Sequence, residues 1–445
     1  MSSLSPQPYK GTRDYYPTDK RIQNYIFNVW HQVSELYGYE EYGAPILELL
    51  DVYAAKSGQD LVNDETYSFT DRGGRLVAIR PEMTPSISRM VAAKRQELGY
   101  PARLYSIANF MRYERPQRGR EREFWQLNAD IFGVDGPRPE SEIIALVNDM
   151  MKTFGATDEM YEIRVNNRKL IDAIMTSYLG LDTVGAQLMV KLFDKKSKIS
   201  HEDFRDKAID IFGAEQAPDG LKKISKLLSM TSVKDLPQEI REDDATKELQ
   251  ALFELLGEAG ITSARFDVTL MRGLDYYTGT VFEMFDLHPE NNRSMFGGGR
   301  YDGLVGLFGV DPIPTVGVAP GYTTVELFLR SHDLLPDFPS STEVGIVVLG
   351  GADSGALELA KGLRREGVKT EVDITSRKID KQIKSILKKK IPFMVFVGED
   401  EVDSEIYPFK DTGLAEEQKL SFERIVSVVK DRRRSNVGEF DDLFE

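Results

Sequence analysis

Apolar residues at Ile22, Tyr25, Ile26, Val29, Trp30, Val33 and Leu36 recur at three- and four-residue spacing. This pattern predicts a helix over 19–36. A strand is expected around 39–47, interrupted by Gly43 and Pro45, then a short helix over 50–57 stopped by Gly58. The stretch 67–80 reads as a hairpin turning at Asp71-Arg-Gly-Gly74, and 84–96 as a helix after Pro81. Two extended runs around a polar loop centred on Pro116 to Gly119 form a longer hairpin, and 139–154 returns to helix. From about 168 to 260, Leu, Ile, Met and Lys recur at helical spacing, reading as a helical insertion between two halves of a sheet. Strands resume near 266–270 and continue past Phe285; Pro336 and Pro339 mark 331–342 as a linker. Beyond it, apolar runs at 344–349, 370–374 and 393–397 alternate with helical patterns at 352–366 and 379–390. That alternation predicts parallel strand pairing. The tail, 431–445, is polar and expected to fray. The fold class is α/β, in two domains, 1–330 and 343–430.

Strand alternation assigns faces within the long hairpin. Ala108, Phe110, Arg112 and Glu114 share one; Phe124, Gln126, Asn128 and Asp130 share another. If the two coincide, one surface carries a cation, an amide, a carboxylate and an aromatic ring. Arginine binds phosphate oxygens bidentately, and the loop adds Arg115, Arg118, Arg120 and Arg122. A solvated, salt-bridged loop would have the same composition. The run Met271-Arg-Gly-Leu-Asp-Tyr-Tyr-Thr-Gly-Thr-Val-Phe-Glu283 reads as a strand. Its Arg272, Asp275, Tyr276 and Tyr277, beside two glycines, suit closure on a small ligand. A Tyr-rich core strand with a paired arginine is the alternative.

Composition narrows the chemistry. The 445-residue chain has no cysteine, which excludes disulfides, thiol catalysis and Cys-ligated zinc. His31, His201, His288 and His332 are scattered, without metal-ligand spacing, so no metal site is expected from protein ligands alone. No apolar run is long enough for a membrane span, and the start lacks the charged and apolar regions of a signal peptide. The net charge of −15 argues against nonspecific nucleic-acid coating, but residues 361–390 carry eleven Lys/Arg against four Asp/Glu. That local excess suits either an RNA backbone or a solvated helix.

The hairpin Phe110 to Gly133 resembles motif 2 of class II aminoacyl-tRNA synthetases. Together with the 271–283 run it is similar to the histidyl-tRNA synthetase family. Tyr9-Lys-Gly-Thr-Arg-Asp14, Ile79-Arg-Pro-Glu-Met-Thr84, Gly297-Gly-Gly-Arg-Tyr-Asp-Gly303, Ser376-Arg-Lys-Ile-Asp-Lys-Gln-Ile383 and Val397-Gly-Glu399 fit as well, and 37–48 is similar to motif 1. The resemblance implies an α+β catalytic domain with an antiparallel sheet and flanking helices, and an anticodon-binding domain at 343–430. It implies attachment of histidine to its tRNA through a histidyl-adenylate, with ATP as substrate and Mg²⁺ as its counter-ion, by a cytoplasmic homodimer.

By the same resemblance, Arg112 matches the cation at the α-phosphate, Arg272 one near both the histidine carboxylate and the α-phosphate, and Phe124 the adenine-stacking ring. Glu82, Thr84 and Gln126 match positions near the histidine ammonium group. Asp130 and Tyr277 match positions reading the imidazole, and Tyr276 and Tyr301 line the same pocket. One departure stands out: Thr324 occupies the place of the family's motif 3 arginine, and Arg120 is the candidate replacement. The alternatives are a histidine-sensing regulatory subunit of ATP phosphoribosyltransferase, which would lack the second domain, and class II synthetases for glycine, threonine or proline.

Overall fold

The computed structural model describes the chain except residues 1–3, 55–64, 197–198, 272–275, 292, 339, 376, 415–416 and 442–445, and the backbone alone over 434–441. The chain divides into two compact units, Met1–Leu335 and Pro336–Glu445.

The first unit is built on an eight-stranded sheet. Its strands are β1 (Glu40–Glu41), β5 (Ala102–Met111), β6 (Glu123–Phe132), β7 (Tyr161–Asn167), β8 (Ala264–Phe266), β9 (Thr280–Asp286), β10 (Ser294–Arg300) and β11 (Thr315–Val318). They lie in the order β1-β5-β6-β11-β10-β9-β7-β8. The six central strands are antiparallel; β1 and β8 add to the edges in parallel. The long hairpin is β5–β6, whose register sets Phe110 opposite Phe124 and Ala108 opposite Gln126. Directly paired residues share a face, so the two predicted faces do coincide. The inner half of β6, Leu127 to Phe132, is buried, while Glu123 to Gln126 stay half-exposed on the rim.

Helices Pro17–Leu36, Arg138–Thr153 and Tyr322–Ser331 pack on this sheet. The first presents Ile22, Ile26, Val29, Trp30 and Val33 inward at the predicted spacing. Each such burial contributes roughly 1.5–3 kcal/mol. An ion pair pins the second to the sheet: Arg300, at the end of β10, meets Glu140 at 2.6 Å, and both are buried.

A separate three-stranded sheet holds β2 (Leu47–Leu49), β3 (Ser68–Thr70) and β4 (Leu76–Ile79) in the order β2-β4-β3. The single strand expected at 39–47 is therefore two, β1 and β2, in different sheets. Gly43 and Pro45 fall between them, where the chain leaves one ladder for the other. Between β7 and β8 the chain is helical, including Thr183–Lys195, His201–Leu228 and Asp244–Glu258. Gly213, at φ 74°, kinks the longest of these.

The second unit has strands β12 (Val344–Val348), β13 (Thr370–Val372), β14 (Phe393–Val397), β15 (Ile406–Asp411) and β16 (Glu417–Ser421), in the order β13-β12-β14-β15-β16. The first three pair in parallel, as their alternation with helices predicts; β15 and β16 continue the sheet in antiparallel fashion. The helix Ile379–Lys388 is stapled to the sheet by Gln382, whose side chain bonds both Val348 N–H (2.9 Å) and Val348 C=O (3.1 Å). The polar tail is not frayed over its first part: the final helix runs Phe422–Asp441.

Candidate active site

A cavity of about 1540 Å³ opens over the middle of the large sheet. Its wall includes Glu82, Thr84, Arg112, Arg120, Phe124, Gln126, Asp130, Tyr276, Tyr277, Tyr301 and Thr324. These are all the candidates named from sequence except Arg272, which lies outside the described residues, as does Asp275. The 271–283 run is not a strand throughout. β9 begins only at Thr280, so Tyr276 and Tyr277 reach the cavity from the segment that precedes it. Gly279 falls directly before the strand that Val281 and Phe282 carry.

At the inner end, tyrosines link two buried carboxylates. Tyr276 donates its hydroxyl to Glu82 Oε2 at 3.0 Å. Its ring meets the Tyr301 ring at 5.7 Å and the Tyr277 ring at 5.2 Å. Tyr301 in turn donates to Asp130 Oδ1. Asp130 Oδ2 is buried and has no partner among the described residues. Burial pushes the Asp130 carboxyl up to about 7, against the opposing bond from Tyr301. Burial, reinforced by the nearby carboxylates, holds all three tyrosine hydroxyls protonated well past the ordinary phenol range. Tyr276 and Tyr301 are thereby fixed as donors to Glu82 and Asp130. Such an end can take a small ligand carrying one cationic group and one ring nitrogen.

The outer end is basic and aromatic. Arg112 donates Nε to the Pro81 carbonyl at 2.9 Å, and its guanidinium lies 5.3 Å from the centre of the Phe124 ring. Phe124 stacks on Phe110 at 5.7 Å. Gln126 donates to the Ala319 carbonyl at 3.0 Å, tying β6 to the segment before helix Tyr322–Ser331. Arg120 pairs with Glu114 at 2.9 Å and remains more than half exposed. Thr324 sits in the first turn of that helix, but its hydroxyl faces the carbonyls of Met295 (2.8 Å) and Gly321 (2.9 Å). Its single proton is used there, leaving none for a phosphate oxygen in this arrangement.

Two features of the site had weak sequence signals. The Arg122 backbone N–H donates to Gly11 O (2.6 Å), its guanidinium to the Tyr9 hydroxyl (3.0 Å), and it lies 4.0 Å from the Tyr113 ring centre. The N-terminal 9–14 segment thus braces the hairpin loop. The second is Gly317 on β11, opposite Asp130: a Cβ there would lie 1.9 Å from Asp130 Oδ1. Only glycine leaves that carboxylate its place. Among the described residues no group of three or more His, Asp or Glu is arranged to hold a metal. Glu114, Glu283 and Glu290 on the wall are carboxylates of the type that Mg²⁺ takes in ones and twos beside substrate phosphates.

Known proteins agree with this architecture. The family model for histidyl-tRNA synthetase matches residues 11–325, and the anticodon binding domain model matches 343–432. The histidine--tRNA ligase of Leptospira biflexa is 40% identical over 434 residues, covering 96% of this chain and 98% of that protein. That of Haloarcula marismortui is 36% identical over 411 residues, covering 90% and 92%. Among solved structures, the histidyl-tRNA synthetase of Nostoc sp. PCC 7120 superposes with a TM-score of 0.82 at 22% identity, covering 97% of this chain and 100% of that one. A Bacillus halodurans structure described as an ATP phosphoribosyltransferase regulatory subunit/histidyl-tRNA synthetase reaches 0.72, also at 22% identity, covering 89% and 99%; the likeness to both is one of fold. The near full-length relatives at 36–40% identity are ligases, so the regulatory-subunit alternative is not favoured. The chain belongs to the histidyl-tRNA synthetase family and is an aminoacyl-tRNA ligase that attaches histidine to tRNA.

Proposed function

We propose that the cavity makes histidyl-adenylate, with its inner end taking histidine and its outer end ATP. The observation that carries this reading is Asp130: one oxygen bonded by Tyr301, the other buried without a partner among the described residues. A buried acceptor of this kind costs stability unless a ligand fills it. An imidazole N–H does so, while the ammonium group is met by Glu82, Thr84 and Gln126. Tyr277 and Tyr301 close around the ring. A site that satisfies both ends rejects amino acids that leave Asp130 unpaired.

Phe124 stacks on adenine. Arg112 holds the α-phosphate, where the histidine carboxylate oxygen attacks and pyrophosphate leaves. The step builds negative charge at phosphorus, so fixed cations serve it better than a protein nucleophile. Arg272 and Arg120 are proposed as further cations on the triphosphate, and Mg²⁺ as its counter-ion when bound. In the second step a terminal ribose hydroxyl of the tRNA takes the histidyl group and AMP leaves. ATP–pyrophosphate exchange with each of the twenty amino acids tests the reading. Exchange stimulated by histidine alone is expected; exchange with another amino acid, or with none, overturns it.

Residues 343–430 are proposed to read the tRNA anticodon, in keeping with the matching domain model. Lys381, Lys384 and Lys388 are exposed along one face of the helix Ile379–Lys388, where an RNA backbone fits. The working form is proposed to be a cytoplasmic homodimer. Leu47, Leu49 and Phe69 share one face of the small sheet by register and are 44%, 49% and 46% exposed, a patch that a second copy would cover.

A further inference from the structure

Among the described residues five arginines line the cavity: Arg112, Arg118, Arg120, Arg164 and Arg293. Four have carboxylate neighbours. Arg112 lies 3.9 Å from Glu114, Arg120 pairs with Glu114 at 2.9 Å, and Arg118 with Glu290 at 3.4 Å. Arg164 meets Glu162 at 2.5 Å and Asp267 at 3.3 Å, and stacks on Phe285. Among the described residues no ion pair or hydrogen bond engages the Arg293 guanidinium. It is an exposed cation on the wall of a site that must hold a polyanion.

Its backbone is held on both sides. Two residues earlier, Asn291 donates to Asp286 (2.7 Å) and to the Ser331 hydroxyl (2.9 Å). Asp286 also accepts from the His288 N–H (2.8 Å) and contacts His332 Nε2 at 2.8 Å. Two residues later, the Met295 carbonyl accepts from Thr324. Both tethers run to the helix Tyr322–Ser331, one to its first turn and one to its end. Arg293, directly before β10, therefore lies between two tethered positions on the cavity wall that also carries Thr324, whose own side chain is neutral and turned to backbone carbonyls.

We propose that Arg293 binds the terminal phosphates of ATP, the pair that departs as pyrophosphate. The fork of a guanidinium can take two phosphate oxygens at once. The tethers limit the neighbouring backbone, while the side chain is ordered when the phosphates bind. This rests on the outer end of the cavity being the ATP site.

Calorimetric titration of the full-length protein with a non-hydrolysable ATP analogue and, separately, with AMP tests it. Arg293→Ala is expected to weaken the ATP analogue ~10–100-fold, the loss of a charge-assisted contact, and to change AMP by less than about twofold. Arg293→Lys should fall between, because a point charge lacks the fork. An unchanged affinity for the ATP analogue overturns the proposal, as does an equal loss for AMP, which would make Arg293 structural. The titrations need no histidine. If the wild type showed no histidine-dependent pyrophosphate exchange, the adenylate reading would fail while the two affinities still decided the role of Arg293.

Discussion

Replacing Asp130 by Asn should stabilise the empty protein and damage its use of histidine. The carboxyl is fully buried, and burial moves it from 3.8 to about 7. In the unfolded chain it loses its proton near pH 4; in the folded chain it keeps it until near pH 7. The folded state thus binds the extra proton between those values. Stability falls as pH rises through that window, and the whole cost is present above it. Roughly three pH units at 1.36 kcal/mol each make that cost up to ~4 kcal/mol. The Asn amide removes the charge but leaves a buried donor half-satisfied, returning ~1–3 kcal/mol.

Urea unfolding of Asp130→Asn against wild type should therefore show a gain of ~1–3 kcal/mol at pH 8. The gain should shrink by ~2–3 kcal/mol at pH 5, where the wild-type carboxyl is largely protonated. In pyrophosphate exchange the histidine KM should rise at least ~tenfold, since an amide donor faces the imidazole N–H, while the ATP KM changes little. A stability difference that stays flat from pH 5 to pH 8 would refute the reasoning, because it would mean that the carboxyl gives up its proton on the ordinary schedule.

Gly317→Ala places a methyl 1.9 Å from Asp130 Oδ1; it should cost ~1–3 kcal/mol of stability and raise the histidine KM well above any change for ATP, both read from unfolding and exchange assays. Glu140→Ala leaves Arg300 buried without its carboxylate and should lower stability by ~3–5 kcal/mol, checked by denaturant titration. Leu49→Asp, on the exposed apolar face, should turn a dimer into a monomer near 50 kDa in sedimentation; wild-type protein that is already an active monomer would sink the dimer proposal. Removal of residues 336–445 should spare histidine-dependent exchange but reduce aminoacylation of tRNA, and an unchanged aminoacylation rate would remove the anticodon assignment.

The helices were legible because a 3.6-residue period is local. Ile22 to Val33 declare one buried stripe without reference to anything else. The faces of β5 and β6 were legible for a similar reason, since the strand period is two and the loop between them sets the register. Legibility failed where a segment takes its shape from contacts far along the chain. The stretch 39–47 read as one strand, yet Glu40–Glu41 pairs with β5 and the strand beginning at Leu47 with β4, in different sheets. Tyr276 and Tyr277 read as strand residues because aromatics favour strands; their place before β9 follows from the cavity, where Glu82 and Tyr301 receive Tyr276, and Tyr277 packs on its ring. β15 and β16 carry too much polar surface to stand out from loops, and only their pairing with β14 defines them.

The glycines of the sheet show what the fold gives up for the site. A Cβ on Gly299 would meet the Tyr277 ring at 2.9 Å, one on Gly298 the Phe282 ring at 2.6 Å, and one on Gly317 the Asp130 carboxylate at 1.9 Å. All three lie on the adjacent strands β10 and β11. Glycine within a strand costs roughly 0.5–1 kcal/mol against alanine, so these positions make the sheet less stable than its hydrogen-bonding alone would allow. What they permit is large polar side chains lying flat against backbone, with their hydroxyls and carboxylates held at fixed points of a buried wall. The same strands carry a restraint at their other end, where Met295, two residues after Arg293, accepts from Thr324. One pair of strands thus positions both the amino-acid end and the proposed phosphate end. A change in either strand that moved its backbone would be felt by both substrates, whereas a change at a single side chain should separate them, which is why the Asp130 and Arg293 substitutions are expected to divide histidine from ATP.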